Sequence, residues 1–182
     1  MERKWLVVAA IGISIALITI SWFCFSPQDD EATWAERAII RPDDVDADVW
    51  HLSGVYDQLP LHEGADSYCS VEMYTVNISA FIFVYAFDSE EQASAHYQYR
   101  LDFFINGMDI QPLAVGDNGT LIREANGNGT CSFFFYEDNL FVWMDLISGL
   151  RGGDRVTNAF VLEQAMALSQ AQELKFWKVL SR

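Results

Sequence analysis

The run WLVVAAIGISIALITISWFCF, residues Trp5–Phe25, holds no charged side chain in 21 positions. A helix needs about 20 apolar residues to cross the hydrocarbon core of a bilayer, about 30 Å thick. A secretory signal has a shorter apolar core, about 7–15 residues, and small residues before its cleavage site. This run ends instead in bulky Trp22, Phe23 and Phe25, and Cys24 lacks the small preceding residue of a lipoprotein leader. The run therefore predicts an uncleaved, single-pass transmembrane anchor. Trp5 and Trp22 lie near its two ends, where indole rings favour the interface. Arg3 and Lys4 precede it, and Asp29, Asp30 and Glu31 follow it. Basic flanks stay in the cytoplasm, so residues 1–4 are expected inside the cell membrane and residues 26–182 outside it.

Residues 26–182 are enough for one core. They carry nine basic and 25 acidic side chains, a net charge of −16. Such a field repels nucleic acid and anionic lipid, so no nucleic-acid partner is expected. An oxidising compartment would let Cys69 and Cys131 pair, and they are the disulfide candidates. Asn77, Asn118 and Asn128 head three Asn-x-Ser/Thr sequons and are candidate glycan acceptors. Asn118 and Asn128 fall in Gly-rich turns, whereas Asn77 falls within a strand pattern.

Along the chain, Ser26-Pro27 with Asp29, Asp30 and Glu31 reads as the start of a short helix reaching about Ile40. An acidic linker follows, so residues 26–48 are expected to join the anchor to a domain at 49–182. Asp44, Asp46 and Asp48 resemble the first ligands of a calcium loop. Val49 and Val55 stand where that loop needs Gly and Glu, which excludes it. A strand at Val49–Tyr56 precedes a long β segment from Cys69, in one strand or two. Val76, Ile78, Ala80, Ile82, Val84 and Ala86 alternate there with Phe81, Phe83, Tyr85 and Phe87. Ser89 and Gln92 form a capping box for a helix that buries Ala93, Tyr97, Leu101 and Phe104. His96 and Arg100 border that stripe, and Asn106-Gly107 ends the helix. A strand pair and an aromatic hairpin turning at Glu137-Asp138-Asn139 come next. The last helix is capped by Asp154 and buries Val161, Ala165, Leu168 and Ala171 or Gln172. The expected fold class is α+β: the transmembrane helix, then an antiparallel sheet with two helices packed on one face.

The stretches YAFDSEEQASAHY and PLAVGDNG, and FFFYEDNLFVWMDL ahead of a terminal helix, resemble uncharacterised membrane-tethered extracytoplasmic α+β domains of archaea and bacteria. The likeness covers about residues 70–180 and rests on helix caps and turns. It implies a fold and a location but no activity, and no catalytic residue carries over.

Chemistry is thinly marked. The chain has no HExxH, no CxxC pair and no Walker loop, and no Ser or Cys sits in a nucleophile elbow. No catalytic residue, metal site or cofactor is assigned. His51, His62 and Glu63 match no metal-ligand spacing. Arg151, Gly152, Gly153 and Arg155 lie between a strand and a helix and form a candidate anion site. The aromatic hairpin offers Phe133, Phe135, Phe141 and Trp143 as an interaction row, since alternate strand residues face opposite ways; the alternative is that a second helix layer covers it. The functional expectation is a non-catalytic, membrane-anchored module on the outer face. It binds a protein or small ligand, as an accessory subunit of a membrane complex. A pilin-like surface subunit and an unfamiliar hydrolase are the alternatives.

Overall fold

The computed structural model describes residues 32–56, 64–104, 108–124, 129–152 and 155–181. Seven strands cross it: β1 (His51–Tyr56), β2 (Ala65–Tyr74), β3 (Ile78–Phe87), β4 (Met108–Leu113), β5 (Asn118–Glu124), β6 (Thr130–Glu137) and β7 (Leu140–Ser148). Three α-helices join them: α1 (Trp34–Ala38), α2 (Glu90–Phe104) and α3 (Asn158–Leu180). The strands form one antiparallel sheet in the order β1-β2-β3-β7-β6-β5-β4. Two meanders, β1–β3 and β4–β7, therefore meet along β3 and β7. The edge strand β4 carries Pro112, which cannot donate to a further strand. The opposite edge strand β1 is interrupted by a bulge between Leu52 and Gly54.

The fold is α+β, but the expected class, a transmembrane helix followed by a sheet with both helices on one face, is not what the described residues form. Among the described residues no helix is long and apolar enough to cross a membrane; residues 5–25 lie outside the described ones. The two long helices also sit on opposite faces of the sheet. Phe133, Phe134 and Phe135 are consecutive in β6 and all fully buried. Successive strand residues point to opposite faces, so both faces must be covered. One face presents Cys69, Met73, Ile82, Val142, Phe133 and Phe135 to Val161, Ala165, Leu168 and Phe176 of α3, with Ala35, Ala38 and Ile39 from the α1 region. The other presents Tyr68, Tyr85, Phe134, Tyr136 and Phe141 to Ala93, Tyr97 and Leu101 of α2.

Local chemistry fixes the helix ends. Gln92 N donates to Ser89 Oγ at 3.3 Å, as expected of a cap. The reach-back lands one residue early, with Asp88 N donating to Gln92 Oε1 at 3.1 Å. Helix α1 begins at Trp34, where Thr33 and Glu36 form a full capping box, and not at Pro27, which lies outside the described residues. Its sequel is no free linker. Ile39 and Ile40 are fully buried, and a 3-10 turn at Pro42–Asp44 pairs Asp44 with Lys175 at 2.9 Å. Helix α3 starts at Asn158 behind Thr157, whose side chain accepts from Phe160 N; Asp154 lies outside the described residues. Its buried stripe includes Gln172, not Ala171.

The long β segment breaks at residues 75–77, where Thr75 Oγ1 accepts from Asn77 N and Ile78 N. Val76, expected in the apolar row, sits in this turn with 81% of its surface exposed. The β6–β7 turn falls where expected. Asp138 takes the left-handed φ of 55° that tight hairpin turns require.

Candidate functional site

Helix α2 spans 15 residues, about 22 Å. It covers only part of a sheet whose central strands run nine or ten residues, about 30–33 Å. Beyond it the same face continues with Phe81 and Phe83 of β3, Trp143, Asp145 and Ile147 of β7, and Ser132 of β6. All of these are half-buried. The register places Phe83 beside Trp143 and Ser132 beside Asp145. The Phe83 and Trp143 rings lie 5.9 Å apart, and Phe83 stacks on Tyr68 at 6.5 Å. Three adjacent strands thus lay an aromatic floor beside a carboxylate.

Asp145 is the polar centre of this floor. Ser132 Oγ donates to its Oδ1 at 2.5 Å and Trp143 Nε1 donates to the same oxygen at 2.8 Å. Burial pushes its pKa above the ordinary value, and the Ser132 and Trp143 hydrogen bonds and nearby Arg100 pull back less strongly. Arg100 reaches from α2 across this group, its guanidinium 4.4 Å from the Trp143 ring centre. Its Nε donates to His96 Nε2 at 3.4 Å. His96, expected at a solvated border, is 9% exposed and packed against Tyr85, Phe87 and Phe141. Burial also drives Tyr85 up to about 12.

In chemical terms the floor offers ring faces, one carboxylate and one guanidinium. The Ser132 hydroxyl gives its proton to a carboxylate, not to an imidazole. That arrangement orients Asp145. Among the described residues no group of three or more His, Cys, Asp or Glu could hold a metal ion.

Other expected sites are dispersed. Phe133 and Phe135 are buried under α3 and Phe141 under α2, so three of the four interaction-row residues belong to the core. Only Trp143 reaches a half-open surface. Cys69 and Cys131 are both buried on the α3 side, on β2 and β6, and no disulfide joins them. Two strands, β3 and β7, stand between. At about 4.8 Å per strand the gap is near 14 Å, against about 4.4–6.8 Å between the α-carbons of a disulfide. Burial holds the Cys131 thiol up at about 12, with Asp145 adding to the shift.

The expected anion site is also undone. Arg151 Nη2 donates to Glu72 at 2.6 Å and to Ser53 at 2.5 Å, and its guanidinium lies 4.0 Å from the Tyr74 ring centre. An acid already answers its charge. Gly152 turns with φ +81° in open space, Arg155 is exposed, and Gly153 lies outside the described residues. Helix α3 starts only at Asn158, so its free amides are not at these glycines. His51 rests on Tyr74 with ring centres 5.6 Å apart; His62 and Glu63 lie outside the described residues.

Asn77 sits in the β2–β3 turn, where its carbonyl accepts from Gly149 N. Asn118 opens β5, and its Nδ2 donates to Tyr136 Oη at 3.0 Å. Asn128 lies outside the described residues. The half-open floor itself was hinted at by Asp145, a charge two residues after Trp143 in an otherwise apolar strand.

No family model matches this chain, and no curated protein is similar to it. The functional reading therefore rests on the floor and on the apolar run.

Proposed function

We propose that this chain is a non-catalytic binding module, held at the outer face of a cell membrane by a single passage of residues 5–25. It recognises a protein or small-molecule partner on the half-open floor of its sheet, as an accessory subunit of a membrane complex. The observation that carries this reading is the floor of Phe81, Phe83, Trp143 and Asp145, left half-buried beyond the end of α2. Apolar rings around a few placed polar groups are the usual make-up of a recognition surface. The Ser132 and Trp143 hydrogen bonds support the binding reading, since together they orient the Asp145 carboxylate on the floor. The apolar run and its charge asymmetry support the membrane location.

The test is site-specific photo-cross-linking in intact membranes. A photoreactive phenylalanine at Phe81 should give a discrete cross-linked product, and the same group at exposed Tyr99, on the outer side of α2, should not. Equal, diffuse labelling from both positions would sink the reading.

A further inference from the structure

The body is strongly acidic, yet three of its nine basic residues line one cleft. Trp34 and Arg37 of α1 face Lys175 and Lys178 of α3 across a space of about 440 Å³. The Arg37 guanidinium lies 5.4 Å from the Trp34 ring centre. Lys175 is paired with Asp44 at 2.9 Å, while Arg37 and Lys178 are exposed. Next to the cleft, Leu174 and Trp177 stand 62% and 60% exposed, and Trp34 is 46% exposed. Leu174, Trp177 and Lys178 share a helix face at spacings of three and four. Exposed indoles beside exposed cations form the pattern of a surface that settles into a lipid headgroup layer.

Chain connectivity adds an independent argument. Trp34 comes only nine residues after the apolar run ends at Phe25. Nine extended residues span at most about 32 Å, so the cleft cannot travel far from whatever holds that run.

We propose that this cleft and its aromatic rim dock the body onto anionic phospholipid headgroups, with Arg37 and Lys178 answering the phosphates and Trp34 and Trp177 entering the interface. The inference rests on the membrane location proposed above. It also qualifies the repulsion expected from the net charge. The acidic field acts on the body as a whole, and it turns this one basic face toward the lipid.

The experiment uses the full chain with Trp5 and Trp22 changed to Phe, so that lipid contact is read from the remaining indoles. The protein is reconstituted into vesicles of phosphatidylcholine alone, or of equal parts phosphatidylcholine and phosphatidylglycerol, doped with lipid brominated near the headgroup. Quenching should be strong on the anionic vesicles and weak on the neutral ones. Adding W34F and W177F should abolish the difference. R37E with K178E should lower the docked-to-undocked ratio at least 25-fold, about fivefold per cation lost. Near-ultraviolet circular dichroism checks that these surface changes leave the fold intact.

If the chain floats with both vesicle types but quenching ignores phosphatidylglycerol, the docking proposal falls and the anchor stands. If it floats only with anionic vesicles and R37E/K178E releases it, docking stands and the anchor falls. Flotation with neither removes both. Headgroup dependence that emerges only after D29N/D30N/E31Q would show the chain's own acids holding these cations, and would also overturn the proposal.

Discussion

Gln172 has no exposed surface, and both ends of its amide are engaged. Ile40 N donates to its Oε1 at 3.1 Å, and its Nε2 donates to Ala38 O at 2.6 Å. It thus fastens the end of α1 to α3. Gln172→Ala leaves a buried N–H and a buried carbonyl without partners, and should cost about 2–4 kcal/mol in urea unfolding. Asp145 gives a pH-dependent prediction. Its folded-state pKa is raised above the ordinary 3.8, so the stability linked to its proton is complete below the unfolded pKa and is lost as pH rises through the folded one. Asp145→Asn keeps an oxygen to accept from Ser132 and Trp143 and removes the buried charge. The variant should match the wild type below pH 3.8 and be the more stable of the two at pH 7, as read from urea midpoints at each pH. The cysteines give a third prediction. Cys69 and Cys131 are buried with two strands between them, so both should resist alkylation in the native protein and react once it is unfolded. A Cys69–Cys131 cross-link found by non-reducing mass analysis would contradict the strand order.

At the scale of elements, the burial of Phe134 and Phe135 under different helices makes a plain prediction. Phe134→Ala and Phe135→Ala should each cost about 3–5 kcal/mol, because each ring is wholly buried. Phe81→Ala, on the half-open floor, should cost much less and weaken partner recovery instead; calorimetry of each variant separates the two groups. Much of this architecture is legible in the sequence. Period-two alternation marks β3 and the β6–β7 hairpin, Ser89 marks the start of α2, and the Val161–Leu168 spacing marks the face of α3. Three consecutive buried phenylalanines already require cover on both sides of the sheet. Which helix takes which face is set by the long connections, and local pattern does not encode those. Local pattern does not fix the start of α1, because Ser26-Pro27 and Thr33-x-x-Glu36 are both valid openings, and only burial of Ala35 and Ala38 favours the second. The floor around Asp145 stayed hidden because a half-covered face leaves no periodic signature. The expected disulfide fails because pairing depends on strand order, which the positions of two cysteines do not encode.

For the molecule as a whole, the charge asymmetry around residues 5–25 predicts that protease added to intact cells cleaves the C-terminal body; full protection would reverse the proposed topology. The sheet order carries a different consequence, for the speed of assembly. Five of its six strand pairings join neighbours in the chain, and only β3 with β7 joins distant ones, from Ala86–Leu140 to Ile78–Ser148. Loop closure must be met at that seam before any contact there forms, and non-local pairing is the slow part of folding. The two meanders should therefore take shape early and wait for each other. Val142→Ala, at the seam opposite Val84, should speed unfolding as well as slow refolding, whereas Leu121→Ala, inside the second meander, should leave the unfolding rate nearly unchanged. Stopped-flow chevrons of the two variants would display the contrast. A chain held up before the seam closes would expose the inner edges of β3 and β7 together, and those long apolar edges are where aggregation of this protein should begin.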